Sequence, residues 1–268
     1  MTTNLKTNNE FTWCPGCSNY MILEAVKKAI SSLIQKGEKQ ENFAIVTGIG
    51  CHAKMFDYLN LSGIYGLHGR VLPIAMGITL GNPKLKVIGF AGDGDTYAEG
   101  MEHFIHAFRH NQDMTFIVHD NQSFSLTTGQ ATPTSQIGYK TKSEPLGEFS
   151  HPINPIKLAL ASGATFVARA NAMDINRTAE IIEKAMNHKG FSYIEIMQRC
   201  LIFNKEMNDL DKLMYKIPDN KDIKKANELS DEFDYNSKKG KIPIGIIFQK
   251  EAKSLEDKWP QLKKYPSF

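Results

Sequence analysis

Lys86-Val87-Ile88-Gly89-Phe90-Ala91-Gly92-Asp93-Gly94-Asp95 is the stretch whose reading decides the fold. Its first six residues are apolar enough for a strand buried on both faces. From Thr96 to Asn111 the period changes, with Met101, Phe104, Ile105 and Phe108 spaced three and four apart as on a helix. Met114 to His119 is a second apolar run that reads as the next strand, and Asp120-Asn121 follow it. Strand, crossover helix and strand make a βαβ unit. Asp93 and Asn121 then stand at the carboxyl ends of parallel strands, where α/β sheets bind ligands.

Residue type suggests which ligand. Asp93 offers a carboxylate and Asn121 an amide oxygen, hard donors of the kind Mg²⁺ takes together with phosphates. Gly92 and Gly94 let the backbone approach a diphosphate, whose charge the following helix N-terminus favours. An ordinary strand-to-helix turn is the plain alternative. Against it, the asparagine follows Gly94 after roughly 26 residues, about what a crossover helix and its return strand need. The pair resembles the thiamine-diphosphate signature.

With 268 residues, 41% hydrophobic and 23% charged, the chain is long and apolar enough for a substantial globular core. A net charge of +3 is too small to argue for nucleic acid, and no aromatic-basic motif supports it. Met1 to Glu10 has no apolar core, so no signal peptide is expected, and no run approaches the roughly 18 apolar residues of a membrane span. A cytoplasmic protein is the expectation.

Cysteine usage is the second signal. Cys14-Pro15-Gly16-Cys17 is a C-x-x-C on a tight turn, with Cys51 and Cys200 far along the chain. A redox dithiol, half a zinc site and buried inert thiols all compete. A zinc ribbon would bring a second C-x-x-C, which is absent, and this tilts the reading towards an iron–sulfur cluster held by all four thiolates. An amphipathic helix follows, Tyr20 to Gln35, with Ile22, Val26, Ile30 and Leu33 on one face and Gly37 at its end. Phe43 to Gly50 reads as a short strand that leads into Cys51 on the same rim as Asp93, with Lys54 one turn later. Gly66-Leu67-His68-Gly69-Arg70 is a glycine-flanked basic pair ahead of a helix from Val71 to Leu80. Glycines on both sides of His68 suggest close approach to a bulky or anionic group.

Further along, Ile156 to Ala161 reads as a short helix ended by Gly163, and Thr165 to Ala168 as a strand. Asp174 caps a helix reaching His188, and Phe191 to Met197 is the last core strand, delivering Cys200. Lys205 to Lys241, which holds Lys224-Lys225 and Lys238-Lys239, is charged and weakly periodic. It reads as a solvated, partner-facing extension. The expected division is a cofactor domain over 1–200 and a C-terminal extension over 201–268.

Trp13-Cys14-Pro15-Gly16-Cys17, Gly48-Ile49-Gly50-Cys51, Leu67-His68-Gly69-Arg70, Gly92-Asp93-Gly94-Asp95 and Thr127 to Thr134 occur in that order. Together with His151-Pro152-Ile153-Asn154-Pro155 and Gln198-Arg199-Cys200 they resemble the beta subunit of 2-oxoacid:ferredoxin oxidoreductases, over nearly the whole chain. The resemblance implies an α/β thiamine-diphosphate-binding fold, a mostly parallel sheet flanked by helices. By position it implies Mg²⁺ ligands at Asp93, Asn121 and the Ser123 carbonyl. It implies thiamine diphosphate contacts at Ile49, Gly50, Cys51, His52, His68, Gly94, Asp95, Ser125 and Leu126, and a [4Fe–4S] cluster on Cys14, Cys17, Cys51 and Cys200. His68 and Lys54 are the expected catalytic side chains, with Lys54 and Arg70 lending charge to anionic cofactor or coenzyme groups. The implied reaction oxidatively decarboxylates a 2-oxoacid, passing the acyl group to coenzyme A and electrons singly to ferredoxin. A non-oxidative thiamine decarboxylase or synthase subunit and a zinc-binding scaffold stay open as alternatives, as does the choice of 2-oxoacid.

Departures from the family pattern fall at His52, where a small residue is common, Ser125, where glycine is common, and Arg199, where proline often precedes the last cysteine. Thr128 stands where some members carry lysine. The carboxylate that thiamine enzymes place on the aminopyrimidine comes, in this family, from a separate domain. One α/β domain and a tail leave no room for it, so an alpha-type partner subunit is expected.

Overall fold

The computed structural model describes residues 4–236 and 240–263, so Lys238 and Lys239 lie outside the described residues. Eight strands form one sheet: β1 Phe43–Thr47, β2 Ser62–Tyr65, β3 Lys86–Gly92, β4 Met114–Asp120, β5 Phe166–Asn171, β6 Phe191–Met197, β7 Met214–Lys216 and β8 Ile242–Gln249. Their order is β2-β1-β3-β4-β6-β5-β8-β7, parallel throughout except where β8 runs antiparallel to β5. The helices are α1 Asn19–Gln35, α2 Met55–Tyr58, α3 Val71–Gly81, α4 Met101–His110, α5 Pro155–Ala161, α6 Ile175–Asn187, α7 Ile223–Asp231 and α8 Leu255–Lys258.

Alternation along the central strands sorts side chains into two cores. Ile88 and Phe90 of β3 face α1 and α6, where Ile22, Val26, Ile30 and Leu33 pack with Ile181 and Ile182. Val87 and Ala91 face the other side, against Phe104 and Phe108 of α4, Ile156 and Ala159 of α5 and Leu229 of α7. Each buried Val, Leu, Ile or Phe side chain among these contributes roughly 1.5–3 kcal/mol relative to exposure. The strands therefore need no polar face, which is why β3 and β4 read as continuous apolar runs. From β1 the chain moves outward to β2, then returns to place β3 on the other side of β1. That reversal opens a crevice at the C-terminal ends of β1 and β3.

Three segments differ from the sequence expectation. The helix expected over Thr96 to Asn111 is split: Asp95–Glu99 is a π-helical turn, Gly100 follows, and α4 runs only to His110, with Asn111 left-handed at φ 53°. A Cβ on Gly100 would press on the Gly69 carbonyl, so the widened turn makes room for the Leu67 to Arg70 loop. Strand β2 carried no pattern because it is a short edge strand with all four residues exposed. The charged stretch 205–241 is not simply solvated. It supplies β7 and α7, and it buries Leu210, Ile217, Ala226, Leu229, Phe233 and Tyr235.

Tyr235 anchors that stretch to the sheet centre. Arg169 on β5 and Glu195 on β6 form a fully buried ion pair, Nε to Oε2 at 2.6 Å. The Tyr235 hydroxyl lies 2.6 Å from Glu195 Oε1 and 2.9 Å from Arg169 Nη2, bridging the pair, while Arg169 Nη1 has no hydrogen-bond partner. We expect Tyr235→Phe to cost about 1–3 kcal/mol by leaving buried charged groups short of a partner. Chemical denaturation checks this, and an unchanged midpoint would show the hydroxyl to be dispensable.

Candidate cofactor site

Three carboxylates meet at the crevice. Asp93 follows β3, Asp95 opens the π turn and Asp120 ends β4; the first two are each 2% exposed and the third is fully buried. Each is held differently. Asp93 Oδ2 accepts from Thr132 Oγ1 at 2.6 Å and from Thr134 Oγ1 at 3.0 Å. Burial pushes its carboxyl up to about 6, with the two threonine hydroxyls opposing. Thr134 Oγ1 is also 3.2 Å from Asp120 Oδ1, and its single proton serves only one carboxylate at a time. Asp120 Oδ2 has no partner, and burial, with the nearby Asp93 charge, pushes that carboxyl well up. A buried carboxylate pair sharing one hydroxyl is the environment that a hard cation relieves.

Asp95 faces the β1 side. Its Oδ1 accepts from the Gly69 amide at 2.5 Å and lies 3.4 Å from His68 Nδ1. His52 Nε2 lies 3.0 Å from Oδ2, but off any hydrogen-bond direction. The carboxylate rests on Gly48, where a Cβ would overlap it. Gly94 likewise gives its missing side chain's place to the Phe124 ring, against which His68 packs at 5.8 Å between centroids. The glycines of Gly48-Ile49-Gly50 and Gly92-Asp93-Gly94 are therefore explained by close approach.

The segment after β4 completes the wall. Asn121 Nδ2 donates to Ser125 Oγ at 2.8 Å, while its Oδ1 accepts from the Ser123 amide at 3.1 Å. Ser125 thus orients the Asn121 amide, work that glycine at this position could not do. Its hydroxyl lies also 3.3 Å from the Ser123 carbonyl. Thr128 takes a left-handed φ of 81° in the turn closed by its amide and the Ser125 carbonyl.

One pocket is lined by Ile49, Gly50, Cys51, His52, His68, Asp93, Gly94, Asp95, Asn121, Ser123, Ser125 and Leu126, gathering every residue expected around the cofactor phosphates and thiamine. It also contains Phe124, His119 and Gln198, which the sequence reading did not single out. Thr132 and Thr134 were likewise missed as partners of Asp93, although both stand in a quoted motif. Lys54 and Arg70 are elsewhere. Lys54 Nζ donates to the Thr12 carbonyl at 2.9 Å, and Arg70 caps the Gly69 and Glu99 carbonyls.

The four cysteines line a second cavity of about 260 Å³. Specific ties bring them from far apart in the chain. The Trp13 indole N–H donates to the Cys51 carbonyl at 2.7 Å. Ser18 Oγ donates to the Arg199 carbonyl at 3.0 Å and accepts from the Arg199 amide at 3.1 Å, fixing Cys200 beside the C-x-x-C turn. No disulfide forms among them. Burial pushes the Cys51 thiol up to about 11, the other cysteines adding and Lys54 opposing; burial also raises Cys17. A bound cation would reverse this and hold them as thiolates. Among the described residues no three His, Cys, Asp or Glu side chains gather closely enough for one metal ion. A cubane takes one thiolate per iron, so its ligands stand around a volume rather than a point. Lys54, Asn121, Ser125, Leu126 and Gln198 line this cavity too, and all but Lys54 are shared with the first pocket, as is Cys51.

Residues 48–196 match the family model for the thiamine pyrophosphate enzyme C-terminal TPP-binding domain. The chain is 43% identical to the 2-oxoacid:ferredoxin oxidoreductase subunit beta of Saccharolobus solfataricus, over 90% of this chain and 83% of that one. It is 40% identical to the 2-oxoglutarate synthase subunit KorB of Archaeoglobus fulgidus, over 70% and 69%. A solved 2-oxoglutarate:ferredoxin oxidoreductase from Magnetococcus marinus, with 2-oxoglutarate, coenzyme A and succinyl-CoA bound, superposes with a TM-score of 0.90. It is 34% identical and covers 97% of this chain and 88% of its own.

Thr134→Val removes the hydroxyl shared by Asp93 and Asp120 at nearly constant shape. With Asp93 as the expected cation ligand, we expect divalent-cation-dependent binding of thiamine diphosphate to weaken roughly 10–100-fold, the scale of losing an outer hydrogen-bond partner of a ligand. Titration calorimetry reads it; unchanged affinity would dissociate Thr134 from the site.

Proposed function

The chain belongs to the beta subunits of the 2-oxoacid:ferredoxin oxidoreductases, and we propose that it carries both the thiamine diphosphate and the first electron acceptor of a coenzyme A-dependent 2-oxoacid oxidation. The observation that carries the reading is the wall shared by the carboxylate pocket and the four-cysteine cavity. When bound, thiamine diphosphate would supply the decarboxylation chemistry, and a one-electron cluster next door would supply the acceptor for the electrons.

The chain's own residues position these groups. Asp93, the Asn121 amide oxygen and the Ser123 carbonyl would hold Mg²⁺ against the diphosphate, and the buried carboxylates supply the charge it balances. Ile49 to His52, His68, Gly94, Asp95, Ser125 and Leu126 would surround the coenzyme. His68, packed on Phe124 and beside Asp95, faces the pocket with one-third of its side chain exposed, where it can hold or move a proton. Cys14, Cys17, Cys51 and Cys200 would ligate a [4Fe–4S] cluster. Lys54 lines the cysteine cavity, beside Cys51, and lends positive charge to anionic groups there. We place the protein in the cytoplasm, a reading with which the described helices agree, since none is long and apolar enough to cross a membrane.

Large apolar side chains stand exposed at the site, Leu126 and Ile202 on the cavity walls and Leu67 beside His68, and Leu146 and Phe149 are exposed to 78% and 76% on the loop between β4 and α5. They support a permanent interface of order 2,000 Å² or more with an alpha-type subunit that supplies the pyrimidine half of the thiamine site. Ferredoxin would make a weaker, transient contact.

Two experiments test the reading. Purified alone and reconstituted with iron, sulfide, Mg²⁺ and thiamine diphosphate, the chain is expected to bind its cofactors yet show no 2-oxoacid-dependent reduction of a one-electron dye. Sustained turnover without a second polypeptide would refute the two-chain active site. Cys200→Ser is expected to lose the cluster, whereas a full iron and sulfide complement in that variant would move the fourth ligand elsewhere.

A further inference from the structure

One buried pair of side chains links the cysteine cavity to the thiamine pocket. Asn19, in the first turn of α1, is 0% exposed, and His119 on β4 is 1% exposed. Asn19 Nδ2 donates to Cys17 Sγ at 3.5 Å. Its Oδ1 is 2.8 Å from His119 Nδ1. These two contacts fix each other. With the amide nitrogen towards sulfur, the amide oxygen faces the imidazole, so His119 donates from Nδ1. His119 Nε2 is then an acceptor with no protein partner, in a residue that lines the thiamine pocket. Neither side chain belongs to the proposed ligand sets.

We propose that Asn19 and His119 are positioning residues that tune the cluster, Asn19 through its N–H···S bond to Cys17 and His119 by holding Asn19 in that orientation. The inference rests on the cluster reading above. An N–H donor on a ligating thiolate stabilises the more negative, reduced state and so raises the reduction potential. Without the imidazole N–H, the buried amide oxygen of Asn19 has no donor. The amide then has no reason to keep its nitrogen on the sulfur. Gln198 Nε2 lies 4.0 Å from the same sulfur, a weaker donor that does not depend on His119.

The test is an EPR-monitored redox titration of the assembled enzyme, with iron and sulfide assayed for each variant. Asn19→Ala and His119→Leu are expected to keep the cluster and to titrate at a more negative potential. A tenfold change in the one-electron equilibrium constant would read as about 59 mV. His119→Asn is expected to titrate with the wild type, because an asparagine Nδ2 can replace the imidazole Nδ1–H. Wild-type potentials in both Asn19→Ala and His119→Leu, at full iron content, would overturn the proposal. So would His119→Asn shifted as far as His119→Leu. If Asn19→Ala loses its cluster, the two His119 variants decide: different potentials support the proposal and equal ones overturn it. A wild-type enzyme without iron and sulfide would instead overturn the cluster reading itself, and this inference with it.

Discussion

Asp93, Asp95 and Asp120 are held away from water at the C-terminal edge of one sheet, and hydrogen-bond donors from the surrounding loops converge on these buried carboxyls. Thr132 and Thr134 come back from the loop after β4 to reach Asp93, and the Gly69 amide comes from the loop before α3 to reach Asp95. These neutral donors only moderate the cost; the Asp93 carboxyl still lies about 6, where burial pushes it. Such buried carboxyls are what a hard cation would relieve, which is why the Mg²⁺ proposed above is placed here. The π turn at Asp95–Glu99 belongs to the same arrangement, since Asp95 is its first residue.

The cysteine cavity is built on a different principle. Its four cysteines come from the α1 entry, the end of β1 and the exit from β6, and polar ties clamp those segments together: Trp13 to Cys51, and Ser18 to Arg199. The sheet order explains why this cavity adjoins the carboxylate pocket. β1, β3, β4 and β6 are consecutive neighbours, so the segments leaving their C-terminal ends share one rim. Proximity of the two cavities is in this sense a consequence of parallel topology.

The C-terminal segment shows where local pattern loses to tertiary context. The stretch over Lys205 to Lys241 has the charge of a solvated tail, yet Phe233 and Tyr235 close over the Arg169–Glu195 pair. Tyr235 has a positive φ of 62°, a conformation that only a strong set of contacts maintains. Glu195 and Arg169 are charged residues in otherwise apolar buried strands. Their partner lies 40 and 66 residues away, beyond any window of periodicity.

The sequence by itself determined the parallel α/β architecture, because strands buried on both faces must be continuous apolar runs and crossover helices must be amphipathic. It also determined the donor types at the site, since Asp93, Asn121 and four thiols carry their chemistry whatever surrounds them. Tertiary structure alone decided which neutral groups serve those donors. Thr134 between two carboxylates and Asn19 reaching His119 are contacts between segments whose separation in sequence carries no period, and Ser125 turning the Asn121 amide, though local, depends on a loop geometry that no period encodes. Hydrogen bonds of this kind depend on direction and distance, which exist only once the sheet has set the rim.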